Sequence, residues 1–470
     1  MSYISTASLI GGQSGVLLML LLYSVIMIPT IAFIPTTNLL FLTNNNNNNE
    51  ALVSSSYSVK LHMAKDIPSW SDIEHMFGSA YGEERPLSID SVLDSSTPSF
   101  STERPTLFRE RHGWCPYSER VWLTLELLGI PYDTIKIDNT GGPRPSYYGG
   151  QTPQLKWPNG RTQGESMDLV HALIEEYSST NTDILMETSD DVQHCINQFR
   201  NIFPKARPSS RAAFLFQWNG DPLWKSTFEQ TLEDTNELLS SSEGPFFCGS
   251  QLSSADIAWA PFLERYRYQL PCLHGKTNLN PYDSKRYPHL TAWYDAMDTT
   301  VPAYACRVKG DASSWRKVLT MAGFGNAGLP PQVQGNMEEI QVWEASTAKE
   351  TIHVDLWNTY ASTRPYVAET PSAEAALIMT QNKDAILRDT LKNGSGLLGS
   401  SSESELDEIM RAMIYILIHQ DGEEAKDAKN VHGVGEFATF LDERMCVPRD
   451  MGSMSAASIK YLAYEMSRSD

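Results

Sequence analysis

The chain is 470 residues long, 41% apolar, with a formal net charge of −20 from 57 acidic and 37 basic side chains. That apolar content supports packed cores in more than one domain, whereas the acidity argues against general nucleic-acid binding, which needs a basic surface to replace phosphate counterions. Six cysteines, at 115, 195, 248, 272, 306 and 446, form no CxxC pair and no metal-type cluster. Neither a disulfide framework nor a metal site is expected, and the usage suits a reducing compartment.

No charged side chain occurs before Glu50, and residues 16–28 are an almost unbroken apolar run ending at Pro29. The run is too short to span a membrane comfortably and fits a signal-peptide core. Ala32-Phe33 and a tract of six asparagines, Asn44 to Asn49, follow it. Residues 1–65 thus resemble the two-part plastid presequences of algae with secondary plastids, with secretion or a signal anchor as alternatives. The only membrane contact expected is through this segment. Residues 66–104, rich in Ser, Pro and acidic side chains, are expected to form a flexible, solvated leader.

From residue 105 the pattern predicts an α/β domain ending near 180. A strand at Leu107 and Phe108 leads to a helix over 116–128, in which Val121, Leu125 and Leu128 share a face, and then to a strand over 134–137. A Gly/Pro-rich crossing ends at Gln151-Thr152-Pro153. Strands over 154–156 and 161–163 are joined by Pro158-Asn159-Gly160, and a helix follows over 165–177. Strand, helix, strand, crossing, hairpin, helix is the thioredoxin-like order.

Trp114-Cys115-Pro116-Tyr117-Ser118 sits at the first strand-to-helix corner. Unpaired N–H groups and the positive dipole end of a helix stabilise a thiolate, so Cys115 is expected to have a lowered pKa. Pro116 suits the first helical position, where its missing N–H costs nothing. Ser118 occupies the place where a dithiol oxidoreductase carries its second cysteine, so an external thiol must resolve any mixed disulfide. The competing reading is a buried, inert cysteine. Arg111 and His112 just upstream read mainly as solvated surface residues. An X-Pro peptide at a strand edge presents backbone groups to an extended ligand, which makes Thr152 and Pro153 candidates. Glu165 and Ser166, opening a helix, either bind the charged end of a ligand or serve as a plain cap.

The sequence Cys115-Pro-Tyr-Ser-Glu-Arg-Val-Trp122, with Leu128-Gly-Ile-Pro-Tyr132, Thr152-Pro153 and Gly164-Glu165-Ser166, resembles the glutathione transferase superfamily. The similarity is to its cysteine-dependent omega, lambda and dehydroascorbate reductase classes. Further matches are Ser253-Ser-Ala-Asp256, also a capping box, and Tyr287-Pro-His-Leu-Thr-Ala-Trp293. The resemblance implies an all-helical transferase domain over 188–325, glutathione as cosubstrate, and Cys115 as the catalytic residue. It also implies glutathione binding by Pro116, Tyr117, Ser118, Gln151, Thr152, Pro153, Glu165 and Ser166. Dehydroascorbate reductases usually carry Lys where Gln151 stands, which weakens that specific assignment. The implied activity is thiol transfer or reduction on a small-molecule or protein mixed disulfide. Conjugation of glutathione to electrophiles, or a non-catalytic carrier or assembly role, are the alternatives, and a homodimer is possible.

Residues 331–470 predict an additional helical extension, as in some plant and algal members, with helices over 337–360, 373–391 and 405–418 and a last one from about 455. Cys446-Val-Pro-Arg-Asp-Met451 precedes that last helix, and Cys446 reads as packing or as a redox-responsive thiol. The extension is expected to pack on the helical domain or to mediate dimerisation.

Overall fold

A computed structural model describes residues 67–468, apart from 79–84, 95, 140–143, 178–188, 204–214, 217–221, 395–397, 400 and 421. The presequence expectation for residues 1–65 lies outside the described residues. A five-stranded sheet forms the α/β half. Its strands are β1 (Ser88–Asp90), β2 (Thr106–Glu110), β3 (Asp133–Ile137), β4 (Gln154–Lys156) and β5 (Thr162–Gln163), in the order β1-β3-β2-β4-β5. Strands β1 and β2 run parallel to β3, and β4 runs antiparallel to β2 with Leu107 opposite Leu155.

The alternation of strand side chains divides the sheet into two apolar faces. Leu107 and Leu155 join Val121 and Leu125 of helix α2 (Pro116–Leu127) and Leu169 and Val170 of helix α3 (Ser166–Tyr177) in one core. Phe108, Ile135 and Ile137 cluster with Tyr148 from the crossing segment. The thioredoxin-like order expected from the sequence is therefore the order observed.

The leader expectation for residues 66–104 is corrected. Helix α1 (Trp70–Met76) opens on a capping box between Ser69 and Asp72, buries Ile73 completely, and donates from Trp70 Nε1 to Asp407 Oδ1 at 2.8 Å. Strand β1 adds an edge to the sheet, pairing Ile89 with Ile135. Each piece carries too few apolar residues to declare a pattern, and the Trp70 partner lies 337 positions away.

The helical half comprises α4 (Asp190–Ile202), α5 (Lys225–Ser240), α6 (Ser254–His274) and α7 (Pro288–Thr300). Helix α6 is its axis and is buried on nearly every side. Its start is fixed by the expected capping box. Asp256 accepts from Ser253 N and Oγ, both at 2.8 Å, from Phe247 N at 3.1 Å and from Trp293 Nε1 at 2.9 Å.

The extension is helical, with shorter pieces than the periodicity suggested. The expected helix over 337–360 is two, Pro331–Thr347 and Val354–Ala361, separated by a 3-10 turn. The expected helix over 373–391 breaks at Asn382, whose side-chain amide donates to the Ile378 carbonyl at 2.8 Å and competes with the helical bond there. Helices Glu403–His419 and Ser453–Met466 agree with expectation, and Val434–Arg444 was not foreseen. Ile73 packs among Met410, Met413, Ile414, Phe437 and Ile459, so α1 and the extension share one core. Among the described residues, no helix is long and apolar enough to cross a membrane.

Candidate functional site

Strand β2 ends in Glu110, whose buried carboxylate accepts from Trp114 N at 2.7 Å and His112 N at 3.1 Å. From the opposite side, the wholly buried Arg265 of α6 donates to the carbonyls of Trp114 at 3.2 Å and Gly113 at 3.4 Å. The loop ahead of Cys115 is thus held by an anion on its N–H groups and a cation on its carbonyls. Arg265 also forms a 2.6 Å ion pair with Glu119 in the first turn of α2 and stacks 4.0 Å from the Trp315 ring. Glu264 completes the group. It accepts from Gly310 N at 2.7 Å and Trp315 Nε1 at 2.8 Å, and burial beside Glu119 holds its carboxyl well above the usual range.

Cys115 occupies the cap position of α2 with extended backbone angles, φ −77° and ψ 111°, and Pro116 follows at the first helical position. The Cys115 side chain is 4% exposed. Burial pushes its thiol above the ordinary value, while the Ser118 hydroxyl and the backbone N–H groups of Ser118 and Tyr117 pull it down; the Glu110 charge adds to the upward push. The Cys115 side chain accepts no cap hydrogen bond, and the expected depressed pKa is not found: desolvation outweighs the lowering groups around it. Tyr117 packs edge-on against Phe262 at 5.8 Å. Arg120, one turn on, donates to the Ala258 carbonyl at 2.7 Å and lies within 5.4 Å of the Tyr117, Phe199 and Phe262 rings.

The Thr152–Pro153 peptide is cis, with Pro153 buried and Thr152 half-buried. Asn139 Nδ2 donates to Thr152 Oγ1 at 2.6 Å, so that hydroxyl is oriented before any ligand arrives. Gln151 is exposed beside it. Glu165 is exposed and left-handed, at φ 62°, a costly conformation for a residue with a Cβ; Ser166 follows as the first residue of α3.

Tyr148 escaped the sequence reading. It is buried, stacked on Phe108 at 5.6 Å, and its hydroxyl lies beside Thr152 within electrostatic reach of Cys115; burial pushes that phenol up to about 12. An aromatic pair, Tyr147-Tyr148, inside a Gly/Pro-rich crossing was the available signal. Arg111 and His112 are not simply solvated. Arg111 pairs with Asp90 at 2.7 Å, and His112 stacks on Trp114 at 4.5 Å, where burial and Arg449 hold its imidazole down at about 4.

The extension reaches this loop as well as the helical domain. Pro448 lies so close that a Cβ on Gly113, itself at φ 77°, would sit 2.9 Å from Pro448 Cγ. Cys446 packs with Trp114 and Trp315 under the loop, and burial pushes its thiol up to about 11. Tyr360 and Arg364 cover the back of α2, Tyr360 Oη donating to Glu126 Oε2 at 3.0 Å.

Comparison with known proteins agrees with this architecture. Residues 114–176 match the family model for the N-terminal domain of glutathione S-transferase, and residues 204–296 match that for its C-terminal domain. Glutathione S-transferase L1 of Arabidopsis thaliana is 30% identical over 232 residues, covering 47% of this chain and 87% of that protein. Glutathione S-transferase L3 of the same plant is 28% identical over 221 residues, covering 46% and 86%. A third Arabidopsis relative, "Glutathione S-transferase L2, chloroplastic", is 28% identical over 197 residues, covering 39% and 60%. The chain belongs to the glutathione S-transferase family.

Proposed function

We propose that this transferase is a glutathione-dependent thiol transferase or reductase that works through Cys115. The Cys115 thiolate attacks the glutathionyl sulfur of a mixed disulfide. A Cys115–glutathione disulfide forms, and the other half leaves as a thiolate that takes up a proton. A second glutathione thiolate attacks the glutathionyl sulfur, glutathione disulfide departs, and the Cys115 thiolate is restored. A small oxidant of the dehydroascorbate type is reduced by the same two thiols. Thr152 and Pro153 offer backbone groups, and Glu165 and Ser166 polar groups, to the tripeptide; Gln151 adds a neutral hydrogen-bonding side chain.

The observation that carries this reading is the placement of Cys115 as the cap residue of α2, ahead of Pro116 at the first helical position, with Ser118 and Tyr117 in the first turn, where they favour the charged form of the sulfur. With Ser118 in place of a second cysteine, glutathione itself resolves the intermediate. Cys115→Ser is expected to reduce glutathione-dependent turnover of hydroxyethyl disulfide by orders of magnitude, to background. Turnover at the parental rate would remove Cys115 from the mechanism.

One observation favours the conjugating reading. Burial raises the Cys115 thiol and so disfavours covalent capture of glutathione, which leaves the neighbouring Ser118 hydroxyl to support glutathione's own thiolate. In that case Cys115→Ser retains or gains activity on chlorodinitrobenzene.

A plastid location is part of the proposal, supported by the resemblance of residues 1–65 to a two-part presequence and by the chloroplastic relative. A fluorescent fusion of residues 1–65 should accumulate in plastids, and retention in the endoplasmic reticulum would overturn the assignment. Dimer formation, common for this fold, is proposed without an assigned interface.

A further inference from the structure

Cys195 and Cys248 come together where α4 meets the turn ahead of α6. Phe246 and Gly249 close that turn with reciprocal backbone hydrogen bonds of 3.0 and 3.2 Å, which leaves half-exposed Cys248 near its tip. The turn is anchored by Phe247, fully packed and stacked 4.7 Å from Trp259, and Trp259 Nε1 in turn donates to the Cys195 carbonyl at 3.0 Å. Cys195 is 5% exposed, and its sulfur donates over the turn to the Phe247 carbonyl at 3.7 Å. That carbonyl belongs to the residue directly ahead of Cys248, so the two thiols are neighbours and act on each other electrostatically.

The remaining cysteines have other surroundings. Cys272 donates to a carbonyl of its own helix at 3.3 Å, Cys306 lies 3.8 Å from Met454 Sδ, and Cys446 lies 3.8 Å from the His112 carbonyl. The Cys195–Cys248 arrangement is also asymmetric. The more accessible Cys248 has its thiol lowered by the neighbouring Cys195, whereas the buried Cys195 is raised. An accessible sulfur favoured as thiolate beside a buried one is the order in which an attacking and a resolving cysteine are placed.

We propose that Cys195 and Cys248 form a second thiol–disulfide site, independent of Cys115, that takes low-molecular-weight disulfides such as glutathione disulfide. Cys248 loses its proton and its thiolate attacks one sulfur, giving a Cys248–glutathione disulfide and releasing one glutathione thiolate. Cys195 loses its proton and attacks the Cys248 sulfur, expelling the second glutathione thiolate. The two protein thiols give up two electrons and two protons, and one glutathione disulfide becomes two glutathiones. The product ties α4 to the start of α6.

The test uses the full chain carrying Cys115→Ser, so that failure of the Cys115 mechanism cannot be mistaken for failure here. After glutathione disulfide treatment, remaining thiols are blocked with N-ethylmaleimide and a non-reducing peptide map is read by mass spectrometry. The expected result is a Cys195–Cys248 crosslink that dithiothreitol removes, and, on adding Cys195→Ala, a lasting glutathionyl group on Cys248. Maleimide on both cysteines after treatment, or a glutathionyl group that stays on Cys248 while Cys195 is present, would overturn the proposal.

Discussion

Burial and hydrogen bonding pull the Cys115 sulfur in opposite directions. Water exclusion raises the thiol, and the Ser118 hydroxyl with two backbone N–H groups lowers it. The net direction is upward, so the thiolate fraction at neutral pH is smaller than that of a free cysteine, and reactivity climbs as pH rises towards the raised pKa. Alkylation of Cys115 by iodoacetamide, followed by peptide mapping, is expected to show a midpoint above the roughly 8.5 of an unperturbed thiol. Ser118→Ala removes a hydroxyl that lowers the thiol and should move the midpoint higher still. A parental midpoint below neutrality would mean that the helix start wins over burial. The Cys-Pro corner and its donors were legible in the sequence because cap position, Pro116 and Ser118 are local. The burial was not, since the loop ahead of Cys115 is held by Arg265 and packed by Trp315, more than a hundred positions away.

At the scale of elements, α2 departs furthest from a surface helix. Glu119, Arg120 and Glu126 are buried, and each is answered from elsewhere: Glu119 by Arg265 of α6, Arg120 by the Ala258 carbonyl, Glu126 by Tyr360 and Arg364 of the extension. Periodicity read the apolar face of α2 and left its charged positions without partners, because an ion pair leaves no local signature. The last helix docks through a similarly non-local device. Gly452, its cap residue, lies against the Cys306 carbonyl so closely that a Cβ would sit 2.0 Å from the oxygen. Its φ of −67° is open to any residue, so glycine is required there by space alone. Gly452→Ala is expected to cost about 1–3 kcal/mol, read as a lower melting temperature together with faster proteolysis around residues 445–452. Unchanged melting and proteolysis would mean that this helix does not hold the transferase halves.

Across the described residues, the chain wraps its beginning and end around the same centre. The segment with α1 and β1 contributes to the extension's core and to the sheet edge, and the extension in turn touches the loop carrying Cys115 through Pro448 and Cys446. The two transferase halves could be read from separated motifs, each with its own capping or turn chemistry. The junctions could not, since Trp70, Arg85 and Tyr360 meet Asp407, Glu374 and Glu126 only after folding. All of this architecture bears on one sulfur and its proposed glutathione partner. The most direct measurement is brief treatment of the reduced, unmodified chain with glutathione disulfide, followed by mass-spectrometric mapping of every cysteine. The account predicts a glutathionyl group on Cys115 that excess glutathione removes; a Cys115 still free to alkylate after treatment would contradict it.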